Sequence, residues 1–192
     1  IRDMLLDRAR LRPVFIKDMS YYVGSQITQD AKIAPQLVNF FLIRDPVAAI
    51  TSYFKLDPEV TSEEIGLEAQ WKHYSALCDQ GAPPAIVDAN DVRTNPRGVI
   101  RALWARIGLP YVAEAFDWQS ETPQDWQQVE GWHGKATSTT GIQPLTEAER
   151  ARQREKFEEA AGKAPHLRDY LAHHLPFYEK MSALRISAAP RG

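Results

Sequence analysis

The stretch that most constrains the fold is Phe41–Phe54, reading FLIRDPVAAITSYF. Its apolar lead-in, Val38–Ile43 (VNFFLI), is apolar on both faces, as expected of a parallel strand covered by helices on either side. The run stops abruptly at Arg44 and Asp45, and Pro46 suits the first turn of a helix, where its missing N–H is not needed. Strand and helix are thus joined by a very short turn, and Arg44 falls at the strand's carboxyl end. Ligands of open α/β sheets bind there. Ser52 follows about two turns along the helix.

Further runs extend the pattern. Pro13–Lys17 (PVFIK) and Ala85–Ala89 (AIVDA) read as short strands. Arg2–Leu11 reads as a short charged helix, and Ser20–Gln26 as a loop entering a helix. Thr61–Gln80 reads as a helix, with Leu67, Trp71, Tyr74 and Cys78 at helical spacing. Asn95 and Pro96 predict a capped helix start, Val99, Ile100, Leu103, Trp104 and Ile107 its buried face, and Gly108 its end. Strands alternating with helices through residue 108 argue for an α/β fold with a parallel sheet. From Tyr111 to Gln143 regularity fades, and Trp118, Trp126 and Trp132 lie in a polar, loop-like segment. Thr146–Ala161 reads as a mostly solvated helix, followed by a last helix from about Leu167, interrupted near Pro176. A single domain over residues 1–186 and a flexible tail over 187–192 are expected.

Composition narrows the function classes. The chain has 192 residues, 44% hydrophobic and 25% charged, enough for one domain with a sizeable core. The net charge of −2 lacks the basic excess of a general nucleic-acid binder. No apolar run approaches the ~20 residues that span a bilayer, so no membrane partner is expected. The single cysteine, Cys78, excludes an internal disulfide; a reducing cytoplasm is the simplest compartment, and a core position the simplest role. No CxxC pair, HExxH or EF-hand pattern implies a metal. The chain opens at Ile1 directly in a helix-like stretch, which suggests natural residues upstream.

A phosphate beside the helix that follows Arg44 would meet a guanidinium fork and the Ser52 hydroxyl together. Arginine suits phosphate through its fixed donors and permanent charge. The plainer alternative is a strand-end salt bridge from Arg44 to Asp45 or Asp88. At these residues the sequence resembles the sulfotransferases that use 3′-phosphoadenosine 5′-phosphosulfate (PAPS). In that family a strand ending in Arg, then a helix bearing Ser-Tyr, binds the 3′-phosphate of PAPS, which implies this role for Arg44 and Ser52. Other stretches are similar in the family's order: Phe15–Tyr22 (FIKDMSYY), Ile86–Tyr111 with its "NP" helix start and closing "GLP", Trp132–Ile142 (WHGKATSTTGI), and the C-terminal LPFYEKMSALRI. The resemblance implies a three-layer, mostly parallel sheet flanked by helices, a P-loop NTPase-like fold, N-terminally incomplete here. It implies PAPS as co-substrate, no metal, and a small-molecule acceptor carrying a hydroxyl or amine.

Two departures qualify it. The family's first strand and its glycine- and Ser/Thr-rich loop for the 5′-phosphosulfate have no counterpart here; no GxxxxGK[ST] supports a kinase either. The family's histidine base after the strand equivalent to residues 13–17 is also lacking. Lys17 is implied as the lysine that stabilises the bridging oxygen of the leaving phosphate, and Asp18 is the only ready base. A solvated strand-end charge and a loop or cap acid are their plainer readings. Trp132 is a candidate to stack on adenine, or a core anchor, and Lys135, with His133, a cation for the 3′-phosphate. His73 reads as a surface or internally satisfied histidine; His173 and His174 lack metal-type partners. Asp88 and Asp91 are candidates to organise the sheet's open end, and Tyr21, Tyr22, Trp118 and Trp126 to line an acceptor pocket or the core. A non-catalytic nucleotide-binding or scaffold module that keeps the fold is the second functional expectation.

Overall fold

The computed structural model of the chain describes residues 2–118 and 139–187. In chain order, helices α1 (Arg2–Ala9) and α2 (Ser20–Gln29) lead to strand β1 (Phe40–Ile43) and helix α3 (Pro46–Leu56). Helices α4 (Ser62–Ile65) and α5 (Leu67–Asp79) lead to β2 (Ala85–Asp88), and α6 (Ala89–Thr94), α7 (Pro96–Ile107), α8 (Glu147–Lys163) and α9 (His166–Ala183) follow. Among the described residues the sheet is the parallel pair β1–β2, with Phe40 opposite Ala85 and Ile43 opposite Asp88. The architecture is a helix-rich α/β domain around a small parallel sheet.

Alternation along the two strands sorts the core into two clusters. Phe41, Ile43 and Ile86 face a large cluster with Ile50 of α3, Leu77 of α5, Phe157 of α8, and Leu167 and Met181 of α9. Ala85 and Val87 face the other way, against Val99 and Leu103 of α7, with Phe40 and Ile107 packed alongside. Helices therefore cover both sides of β2, and all four of its residues are buried. Ile43, Ile50, Ile86, Leu167 and Met181 are fully enclosed; enclosing such a side chain contributes about 1.5–3 kcal/mol. The outer edges are touched lightly: Gln70 Nε2 donates to Leu42 O at 3.2 Å, and Ile186 N donates to Ile86 O at 2.9 Å.

The turn from β1 into α3 is built by its own residues. Asp45 is the N-cap of α3, its carboxylate accepting from Val47 N at 2.9 Å and Ala48 N at 3.4 Å, with Pro46 as first helical residue. Asn95 caps α7 through Gly98 N at 3.2 Å, and Gly108 (φ 77°) ends it in the left-handed conformation.

Several expectations are corrected. The helix expected over Thr61–Gln80 is two helices, broken at Gly66 (φ 78°), where the Thr61–Glu64 capping box has already completed a short first piece. Pro13–Lys17 is not a strand: among the described residues none lies alongside to take its hydrogen bonds, and Phe15 is 75% exposed, reaching only the Phe40 ring at 6.1 Å. The expected loop at Ser20–Gln26 is already helical. Pro176 does not interrupt α9; it removes the backbone donor that would meet the carbonyl of Ala172, an exposed residue. Helix α8 is mostly exposed, as expected, and is anchored by buried Phe157 and Ala161. The short α6 had no counterpart in the sequence reading; it starts where the Asp88 carboxylate accepts from Asn90 N at 2.7 Å. Trp126, Trp132, His133, Lys135 and most of the expected tail lie outside the described residues.

Candidate functional site

Helices α3 and α8 pack against each other and leave a cleft of about 380 Å³ beside the carboxyl end of β1. The α3 wall is Ala48, Thr51, Ser52 and Lys55, one helical face. The α8 wall is Glu149, Arg152, Gln153 and Lys156, again one face, with Thr146 at its start and Arg44 closing the sheet end. The small Ala48 and Ala148 leave the space open. Thr51 Oγ1 donates to Val47 O at 2.7 Å within its own helix. The Ser52 hydroxyl makes no hydrogen bond among the described residues, which leaves it available to a ligand.

The charge in this cleft is lopsided. Arg44, Lys55, Arg152 and Lys156 are cations, and Glu149 is the lining acid. Glu149 is already matched, because Arg93 Nη2 meets both its carboxylate oxygens at 2.8 Å. The same arginine donates to Gln143 O at 2.9 Å and Pro144 O at 3.0 Å, fastening the approach to α8. Arg93 sits on α6, just past β2, as Arg44 sits just past β1. The Arg44 side chain reaches solvent at the cleft mouth, yet protein crowds its guanidinium. Its pKa is lowered first by this loss of water and then by the Arg93 charge, with Asp45 opposing. An arginine stays charged regardless, and among the described residues no ion pair compensates this one. An anion in the cleft would supply the compensation.

The structure brings Arg44 and Ser52 into one cleft and keeps the other candidates out of it. Arg44 makes no ion pair with Asp45 or Asp88, whose carboxylates are committed elsewhere: Asp45 to the α3 cap, Asp88 to Asn90 N and to the Tyr178 hydroxyl at 2.7 Å. Burial raises the Asp88 pKa, and those two hydrogen bonds counter only part of it. Asp91 is held by Arg185 at 2.7 Å. Lys17 and Asp18 are exposed and do not line the cleft; Asp18 Oδ1 accepts from Met19 N at 2.8 Å.

The histidines have structural settings. His73 is buried, not at the surface, edge-on to Phe41 with Nδ1 3.4 Å from Ser20 Oγ. His174 is buried and donates from Nε2 to Ser62 O at 2.7 Å. Loss of water lowers the pKa of both. His173 meets Glu68 at 3.0 Å. The Tyr21 hydroxyl pairs with that of Tyr53 at 3.3 Å, Tyr22 is exposed, and Trp118 and Cys78 are half-buried. Among the described residues no cluster of His, Cys, Asp or Glu is suited to a metal ion, and no helix is long and apolar enough to cross a membrane.

Sequence reasoning missed Lys55, Arg93, Arg152 and Lys156. Lys55 carried a signal, since it extends the Ala48–Ser52 face by one turn. Arg152 and Lys156 were hidden among the many charges of α8.

Comparison with known proteins places this geometry in a family. Two curated proteins of Arabidopsis thaliana, branched-chain-amino-acid aminotransferase-like proteins 2 and 1, are 32% and 31% identical to the chain over 105 residues. The shared part is 54% of this chain and 19% of each relative, so the chain spans about a fifth of the length of these relatives. No solved structure matches. A family profile described as a sulfotransferase domain matches residues 5–185, a span that holds both strands and both walls of the cleft. The chain therefore belongs to the sulfotransferase domain family.

Proposed function

We propose that this domain transfers a sulfonate group from PAPS to the hydroxyl or amine of a small-molecule acceptor. The observation that carries the reading is the meeting of Arg44 and Ser52 in a cationic cleft at the carboxyl end of β1. There they would hold the nucleotide's 3′-phosphate by a charged fork and a hydroxyl. Lys135 would add a cation and Trp132 an adenine-stacking face from the segment before α8. The parallel pair with helix clusters on both sides is read as part of a three-layer, P-loop-like sheet.

In the transfer, the acceptor oxygen or nitrogen attacks sulfur in line. The bond from sulfur to the bridging phosphate oxygen breaks, and its electron pair leaves with adenosine 3′,5′-bisphosphate. The acceptor proton goes to a base, for which Asp18 is the candidate, and Lys17 would neutralise the bridging oxygen. Positioning and charge stabilisation supply the rate, as in phosphoryl transfer. The cytoplasm suits this chemistry and the lone cysteine.

Turnover with PAPS and a panel of hydroxyl and amine acceptors, followed by release of the bisphosphate, tests this reading. Acceptor-dependent release is expected; absence of both release and bisphosphate binding would sink it. A second reading, a nucleotide-binding scaffold, is favoured by the setting of the two catalytic candidates: Lys17 and Asp18 are exposed, and Asp18 Oδ1 is engaged by Met19 N. It expects bisphosphate binding without turnover and indifference to the 5′ group.

A further inference from the structure

The geometry points to α8 as the second wall of the phosphate site: Arg152 and Lys156, with Lys55 opposite, are ligands of the nucleotide's 3′-phosphate and set the preference for 3′-phosphorylated nucleotides. This rests on the reading of the cleft given under Proposed function.

Three observations carry it. First, the residues face one space. Lys55 lies one turn beyond Ser52 on the α3 wall, and Arg152 and Lys156 stand one turn apart on the α8 wall of the same cleft. Second, the cations that face the cleft outnumber the acid there, and none of them is neutralised from within the described protein. Arg44, Lys55, Arg152 and Lys156 have no ion-pair partner among the described residues, and the acid Glu149 is occupied by Arg93. A phosphate monoester brings about −1.5 to −2 charges at neutral pH, more than Arg44 alone balances. Third, the wall is held in place. Buried Phe157 and Ala161 fix the rotation of α8, and the Arg93 clamp on Glu149, Gln143 and Pro144 fixes its first turn. The cations are thus presented from a packed helix.

The test measures binding of adenosine 3′,5′-bisphosphate, adenosine 5′-monophosphate and inorganic phosphate to the wild-type protein, Arg44→Ala and the double variant Arg152→Gln/Lys156→Gln. Both altered α8 residues are exposed, and circular dichroism and thermal melting check that the fold is retained. The double variant is expected to lose at least about 10- to 100-fold in bisphosphate affinity, the scale of one charge-assisted contact, with 5′-monophosphate binding unchanged. The single variant Arg152→Lys should recover most of the affinity through its retained charge. If the double variant binds the bisphosphate like wild type while Arg44→Ala does not, the inference falls and the proposed function stands. If the wild-type protein fails to bind the bisphosphate, both fall. Inorganic phosphate bound as tightly as the bisphosphate would overturn the assignment to a nucleotide.

Discussion

Arg44 is crowded by protein and repelled by Arg93, and among the described residues it has no ion-pair partner and the Ser52 hydroxyl of the same cleft has no hydrogen bond. Removing the guanidinium in Arg44→Ala is expected to weaken adenosine 3′,5′-bisphosphate binding by about 10- to 100-fold, measured by calorimetry. Arg44→Lys should restore only part, because the charge returns without the fork. Arg93 acts one step away. In Arg93→Ala the Glu149 carboxylate would stand unpaired in the cleft and repel the ligand. Affinity should fall, and the double variant Arg93→Ala/Glu149→Gln should regain much of it; no recovery would mean that Arg93 works only by fastening residues 143–144. Arg44 and Ser52 were legible in the sequence because a strand-to-helix junction sets their spacing through local geometry alone. Arg93 and the α8 cations were not, because their meeting with α3 depends on packing between segments far apart in the chain.

Gly66 shows what a single break between helices does. Its backbone sits at φ 78°, and a Cβ there would stand 3.1 Å from Cδ1 of Tyr21, whose hydroxyl meets Tyr53 of α3. Gly66→Ala therefore carries both a conformational cost of about 1–2 kcal/mol and displacement of the Tyr21 ring. Gly108→Ala, at φ 77° with open space around it, carries only the first. Denaturant unfolding should show the larger loss at Gly66; equal losses would remove the role given to Tyr21. The sequence signal for the break was Gly66 itself: the apolar spacing Leu67, Trp71, Tyr74 and Cys78 lies wholly after it, and Glu63 and Glu64 precede it. Pro13–Lys17 failed for a different reason: its strand-like residues describe a fit to a sheet, and a strand forms only where a neighbour takes its hydrogen bonds. The start of α7 was legible in full, because Asn95, Pro96 and Gly108 act on their own backbone.

Across the whole molecule, two buried histidines tie stability to pH. His73 and His174 are held below the ordinary value of 6.5 by loss of water. In the unfolded chain both take up protons as pH falls through about 6.5, while the folded chain resists until its lower values are reached. Stability is therefore present above that pH and is lost as pH falls through the folded values. Asp88 runs the other way: its raised pKa makes its contribution fullest below the usual carboxyl value and lost as pH rises through the raised one. Melting temperature should fall between about pH 7 and pH 5, and His73→Leu should flatten part of that fall; an unchanged slope would contradict the assignment.

The α/β class and the parallel pairing were legible because β1 and β2 are apolar on both faces, whereas the amount of helix packed on them was not. The account turns on where the nucleotide's 3′-phosphate sits. The most direct measurement is a ³¹P NMR titration of adenosine 3′,5′-bisphosphate with the wild-type protein and with Arg44→Ala. The 3′-phosphorus resonance is expected to shift on binding to the wild-type protein, and with Arg44→Ala to need about 10- to 100-fold more protein for the same shift. Binding that moves only the 5′ resonance, or a 3′ shift with the same concentration dependence after loss of Arg44, would contradict this placement.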